Sequence, residues 1–279
     1  MTLSSPGRPF AEALARVDLV TAIHHREVMD STSTFLLGLI PTDGAGMAGL
    51  HGVLAIADRQ TVGRGRLGRR WEAPPGEGLL FSLLLDGNRI SSPGLLPAAA
   101  GVAVVRAIRR LVPSLHPRLK WPNDVLIRER KVCGILAERS GPGIVLGVGI
   151  NVAQQLEGLP EGVAATSLAL ELGEDAPLPG RPEILAAFLQ ELQPLLDSDH
   201  GTERTLEAFS ACHDTLGRRV RVTSSHPGRP VVEGLALAVD TDGALIVRLD
   251  HGPTVAVHSG EATLQGSPDQ ASPPRPPGS

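Results

Sequence analysis

The chain has 279 residues, 42% hydrophobic and 20% charged, a globular composition long enough for one large domain or for a large and a small one. Aromatics make up only 3% and Tyr is absent, so aliphatic side chains must fill the core and few platforms remain for stacking nucleobases. A formal net charge of −4 excludes a generic polyanion binder, and Cys133, Cys212 and the nine His show no zinc-type spacing.

In chain order, residues 11 to 28 read as a helix with Leu14, Val17, Leu19 and Val20 toward a core. Asp30-Ser31-Thr32-Ser33 is a capping cluster that starts a second helix before Phe35-Leu36-Leu37. Gly52 to Ala57 is a short apolar strand, and Leu79 to Leu85 is a nearly all-apolar run, a strand buried on both faces. Ser91-Ser92-Pro93 opens a helix that runs to about Val112. Between Arg118 and Val152, β-rich runs alternate with turns: Arg118 to Trp121, the Pro122-Asn123-Asp124 corner, Val125 to Ile127, Val132 to Arg139, Gly141-Pro142-Gly143, then Ile144 to Val152. These predict consecutive antiparallel strands rather than βαβ units. Helices follow at Glu183 to Leu196 and Thr202 to Cys212, after which short strands over 215–266 suggest a small β-barrel. The Pro-, Ser- and Gly-rich tail, residues 267–279, is expected to be disordered.

The longest apolar run, Leu95 to Val105, spans eleven residues and contains Pro97 and Gly101, and residues 1–20 lack a signal-peptide core, so a cytoplasmic protein without membrane contact is expected.

Of 26 basic residues only two are Lys, Lys120 and Lys131, which marks both as candidates for a role that the planar guanidinium cannot fill. Neither follows a glycine, which rules out a P-loop. Gly63-Arg64-Gly65-Arg66-Leu67-Gly68 imitates a dinucleotide fingerprint, but Arg69-Arg70-Trp71-Glu72-Ala73-Pro74-Pro75-Gly76 cannot continue as the helix that such a fingerprint opens. The alternatives for this segment are a mobile phosphate clamp, with four Arg in seven residues and glycines that let the backbone approach a ligand, and a solvated basic turn.

Four ordered motifs then carry a resemblance. Gln60 to Trp71, Lys120-Trp121-Pro122-Asn123-Asp124, Lys131-Val132-Cys133-Gly134-Ile135-Leu136-Ala137-Glu138 and Gly147-Val148-Gly149-Ile150-Asn151 resemble the biotin protein ligases in order and spacing. The resemblance runs from Asp30-Ser31-Thr32 to Ser259-Gly260-Glu261. It implies an α+β fold related to class II aminoacyl-tRNA synthetases, with a mixed, largely antiparallel sheet over residues 1–214 and an SH3-like β-barrel over 215–266. Roughly 30 residues precede Ser31, too few for the helix-turn-helix of some family members, so an enzyme-only form without nucleic-acid binding is expected.

The resemblance also implies the chemistry: biotin and ATP, with Mg²⁺, give biotinyl-5′-AMP, and a lysine of a biotin carboxyl carrier protein then takes the biotinyl group. By the family pattern Ser31, Thr32, Ser33, Gln60, Arg64, Gly65, Arg66, Lys131 and Gly134 line biotin. Arg64, Arg66, Arg69, Trp71, Asn123, Lys131, Gly147, Gly149 and Asn151 serve ATP and the adenylate, with Trp71 against the adenine. Lys131 and Arg66 offset the charge that builds on the α-phosphate, Asp124 orients or deprotonates the acceptor amine, and no protein metal site is expected. One departure stands out: the family usually has Asn where this chain has Ser33. Cys133 reads as a buried small hydrophobe and Glu138 as the partner of an Arg. A lipoate ligase and a non-catalytic biotin or adenylate sensor are the rival readings, and monomer and homodimer stay open.

Overall fold

A computed structural model describes residues 8–42, 46–197, 200–224 and 230–264; the expected disordered tail lies outside them. A seven-stranded sheet has the order β1-β2-β3-β7-β6-β5-β4, built from β1 (Ala22–Met29), β2 (Val53–Gln60), β3 (Gly78–Asp86), β4 (Arg118–Lys120), β5 (Asp124–Ile127), β6 (Arg130–Ser140) and β7 (Gly143–Asn151). Only β1 and β2 run parallel; every other neighbouring pair is antiparallel, so the expected meander from 118 to 152 is present. Strand β3 lies inside the sheet between β2 and β7, with Gly78 to Leu85 all buried, as its unbroken apolar run requires.

One helical layer consists of α1 (Arg8–Leu14), α3 (Leu96–Leu111), α5 (Arg181–Leu192) and α6 (Gly201–Cys212), and it closes the larger core around Val104, Ile108, Phe81 and Phe188. The short α2 (Thr32–Leu37) packs a second, smaller core of Leu36, Ile40, Val53, Leu84 and Val145. A five-residue helix, α4 (Leu168–Leu172), precedes α5.

The helix expected over 11–28 is corrected. Helix α1 ends at Leu14, the chain turns through Val17 and Val20, and Ala22–Met29 is the edge strand β1. Its burial pattern, intermediate from Ala22 to His25 and exposed from Arg26 to Val28, has no period of two, and parallel pairing with β2, from Ala22↔Val53 to Met29↔Gln60, makes it a strand.

The C-terminal region forms a five-stranded antiparallel sheet of order β11-β10-β9-β8-β12, from β8 (Arg219–Thr223), β9 (Val232–Val239), β10 (Leu245–Leu249), β11 (Thr254–Val257) and β12 (Glu261–Leu264). Among the described residues no ladder joins β11 to β12, so the structure shows an antiparallel sheet and not a closed barrel there. This sheet docks where Trp121 Nε1 donates to the Gly243 carbonyl at 3.0 Å and the Trp121 N–H donates to Thr215 Oγ1 at 3.0 Å. Gly94 and Gly243 meet backbone to backbone, with no room for a Cβ on either. No helix among the described residues is long and apolar enough to cross a membrane.

Candidate functional site

A cavity of about 360 Å³ opens on one side of the large sheet between α2, the glycine-arginine loop, β5 to β7 and the start of β12. Its walls include all the residues expected above to bind ligand or act in catalysis: Ser31, Thr32, Ser33, Gln60, Arg64, Gly65, Arg66, Arg69, Trp71, Asn123, Asp124, Lys131, Gly134, Gly147, Gly149 and Asn151.

One end is lined by hydroxyls. Ser31 caps α2, accepting from the Thr34 N–H, which turns the next two side chains into the cavity. Thr32 donates both its N–H (2.7 Å) and its hydroxyl (3.1 Å) to Gln60 Oε1. Ser82 on β3 lies 2.7 Å from Thr32 Oγ1 and 2.9 Å from Ser33 Oγ. Because the single Thr32 hydroxyl proton goes to Gln60, Ser82 donates to Thr32 and Ser33 donates to Ser82. This polar end therefore presents hydroxyl lone pairs as acceptors and the Gln60 NH₂ as donor. The sequence reading missed Ser82; its signal was a lone hydroxyl in the apolar run from Leu79 to Leu85. Gly147 must lack a side chain, since a Cβ there would stand 2.7 Å from Ser33 Oγ.

The middle of the cavity has a glycine floor. Gly134 on β6 and Gly149 on β7 are ladder partners, and the Trp71 indole packs against both. A Cβ on Gly134 would come within 2.6 Å of the ring and one on Gly149 within 2.4 Å. Lys131 Nζ stands 5.5 Å from the centroid of the same ring and 2.7 Å from Asp124 Oδ1.

A buried network fixes Lys131 from behind. Its backbone N–H donates to Ala164 O and its carbonyl accepts from Thr166, while Thr166 Oγ1 and Arg130 each donate to Glu171 at 2.7 Å. Asn151 belongs to this scaffold: Nδ2 donates to Thr166 O at 2.9 Å and Oδ1 accepts from Gln154. Its carboxamide is therefore engaged within the protein although the residue lines the cavity.

The glycine-arginine loop closes the opposite wall. Gly65 donates to Arg69 O, Trp71 donates to Gly63 O, and a short bridge joins Arg64 to Arg70, so the segment folds back on itself without a helix after Gly68. Arg64 pairs with Glu138 at 2.7 Å, which gives Glu138 its expected arginine. Arg66 donates to Asn123 Oδ1 (3.1 Å) and to the Gly260 carbonyl (3.3 Å), and Arg69 forms a two-pronged pair with Glu261. The loop is thereby tied to the C-terminal sheet. Burial pushes the Arg66 guanidinium below its ordinary value, yet it stays cationic at neutral pH; the Arg69 hydrogen bond holds Glu261 below the usual carboxylate range. Cys133 is fully buried, and burial pushes its thiol up, as a packing residue requires. Among the described residues no three His, Cys, Asp or Glu converge as a metal site.

The hydroxyl-lined end, the glycine floor and the cations Arg66 and Lys131 thus face one cavity. Residues 26–154 match the Biotin/lipoate A/B protein ligase family and residues 215–264 match the Biotin protein ligase C terminal domain. The chain is 40% identical over 220 residues to the Mycobacterium tuberculosis biotin--[acetyl-CoA-carboxylase] ligase, covering 77% of this chain and 79% of that protein. It is 31% identical to the Bacillus subtilis bifunctional ligase/repressor BirA over 72% of this chain and 63% of that protein. The biotin protein ligase from Aquifex aeolicus in complex with biotin and ATP superposes with a TM-score of 0.68 at 29% identity, over 88% of this chain and 99% of that one. The chain belongs to the biotin protein ligase family.

Proposed function

We propose that this enzyme joins biotin to ATP as biotinyl-5′-AMP and passes the biotinyl group to a lysine of a biotin carboxyl carrier protein. The observation that carries this reading is one continuous cavity that couples the Thr32–Ser82–Ser33 end to the Lys131–Asp124 pair across the Trp71 floor. Hydroxyl acceptors and the Gln60 amide complement a ureido ring, which offers two N–H donors and one carbonyl, and they place the valerate carboxylate toward Lys131 and Arg66. The carboxylate oxygen attacks the α-phosphorus, an O–P bond forms, and pyrophosphate leaves. Lys131 and Arg66, held by Asp124 and Asn123, supply fixed positive charge where the phosphate gains negative charge. Trp71 over Gly134 and Gly149 provides a surface for the adenine. Mg²⁺ would arrive with ATP and offset charge on its phosphates; Asp124 and Glu261, each paired with a cation, are the cavity carboxylates that could hold it.

In the second step the carrier amine attacks the acyl carbon and AMP leaves, with Asp124 orienting the amine and accepting its proton. The closed loop excludes water from the labile anhydride. This reading assigns residues 1–214 to catalysis and 215–266 to an SH3-like domain that braces the loop through Gly260 and Glu261. The test is biotin-dependent exchange of labelled pyrophosphate into ATP, with lipoate and octanoate in parallel. Exchange with biotin alone supports the assignment; exchange with lipoate alone moves it to the sister activity.

A further inference from the structure

Glu171 on α4 is a carboxylate with no exposed side-chain surface, and no step above uses it. Its Oε1 accepts from Thr166 Oγ1 and from Arg130, each at 2.7 Å, while its Oε2 has no hydrogen bond and lies 3.6 Å from Arg128 Nε. Both arginines belong to the tip of the β5–β6 hairpin, where Ile127 pairs with Arg130 across a turn of Arg128 and Glu129. The two turn residues have left-handed backbone, with φ of +48° and +63°. A two-residue hairpin favours that conformation, but Asn and Gly adopt it with less strain than Arg and Glu. Such strain persists where surrounding contacts fix it, and Glu171 grips the residues on either side of Glu129.

Lys131 follows this tip directly. The β5–β6 register shifts between Val125 and Leu126, so Lys131 pairs with Leu126, Cys133 with Val125, and Val132 is left without a partner in β5. Directly opposed residues share a face, which puts Asp124, Leu126, Lys131 and Gly134 on the side where the cavity opens. In a regular strand Lys131 and Gly134, three apart, would face opposite ways; here Val132 and Cys133 both enter the larger core instead. A slip of one residue would turn Lys131 away from Asp124. The other edge of Lys131 is held as well, since its N–H donates to Ala164 O and its carbonyl accepts from Thr166, the residue whose hydroxyl Glu171 binds.

We infer that Glu171 is a positioning residue for Lys131: it locks the turn and the bulge that aim the ammonium into the cavity. The inference rests on the function proposed above, in which Lys131 serves the adenylation step. By drawing Arg128, Arg130 and Thr166 onto one carboxylate, Glu171 fixes both edges of Lys131 together.

The experiment measures biotin-dependent pyrophosphate exchange and thermal unfolding for the full-length wild type, Glu171→Gln, Lys131→Ala and the double variant. Glu171→Gln keeps the shape and removes the charge that the arginines meet. The expected exchange rate falls at least ~tenfold in Glu171→Gln, yet the double variant stays within about twofold of Lys131→Ala, because a residue that acts only through Lys131 has nothing further to lose. Adding Arg128→Asn and Glu129→Gly, which favour this turn by themselves, restores most of the exchange to Glu171→Gln. Simple support of α4 would not be restored by a change in the hairpin. If Glu171→Gln does not fold, Arg130→Gln, at a side chain that is 40% exposed, carries the same cycle with a several-fold loss. Undiminished exchange in the folded variant, equal losses with and without Lys131, or no recovery from the turn residues overturns the inference. A wild type that shows no exchange with biotin refutes instead the function on which it rests.

Discussion

Lys131 Nζ lies 2.7 Å from Asp124 Oδ1, and the two residues reach that contact from adjacent antiparallel strands, β6 and β5. In the proposed mechanism the pair joins the two half-reactions, with Lys131 acting on the phosphate and Asp124 on the amine that follows. Asp124→Asn is therefore expected to lower transfer from preformed adenylate about 10²-fold, the range of a lost general base, while pyrophosphate exchange falls less. Equal losses in both assays would assign Asp124 to holding Lys131 alone.

Gly149→Ala places a methyl 2.4 Å from the indole of Trp71. The ring must leave the floor at a cost of about 1–3 kcal/mol. We expect the KM for ATP to rise at least tenfold with a change in tryptophan fluorescence, to which only Trp71 and Trp121 contribute. An unchanged KM with a displaced indole would remove Trp71 from the nucleotide site.

Ser82→Ala removes the middle hydroxyl of the Ser33–Ser82–Thr32 chain in a fully buried position. Leaving the Ser33 donor without its acceptor costs roughly 1–3 kcal/mol, so the KM for biotin should rise about tenfold or more with the KM for ATP unaffected. Steady-state exchange at varied biotin measures it.

Glu261→Gln weakens the clasp between Arg69 and the C-terminal sheet. Both side chains are about half exposed or more, so global stability should change by less than ~1 kcal/mol. The expected phenotype is instead faster release or hydrolysis of adenylate per biotin activated, read by AMP production without carrier. The pH dependence has a definite sign. The Glu261 pKa is depressed in the folded protein, so its contribution is present above the ordinary carboxylate pKa and is lost as pH falls through the lower folded value. Adenylate leakage in the wild type should therefore grow at acid pH and be flat across that range in Glu261→Gln.

Cys133 is fully buried with its thiol pushed up by desolvation. Alkylation at pH 8 should be negligible in the native protein and complete in denaturant, as mass spectrometry of the intact chain would show.

Much of the antiparallel framework from β3 to β7 was legible in the chain, and the family resemblance named most residues around the cavity. The unbroken apolar run Leu79 to Leu85 identifies a buried strand, Pro122-Asn123-Asp124 and Gly141-Pro142-Gly143 identify corners, and two lysines among 26 basic residues identify themselves. The sequence did not determine β1, whose residues show no alternating apolar face and which becomes a strand only when β2 pairs with it. Nor did it reveal that Ser82 joins Thr32 to Ser33, that the Asn151 amide is spent on Thr166, or that Arg66 and Arg69 reach Gly260 and Glu261 some 190 residues away. Those facts are relations between distant segments, and a side chain's partner is decided by which strands and domains pack together rather than by its neighbours in the chain.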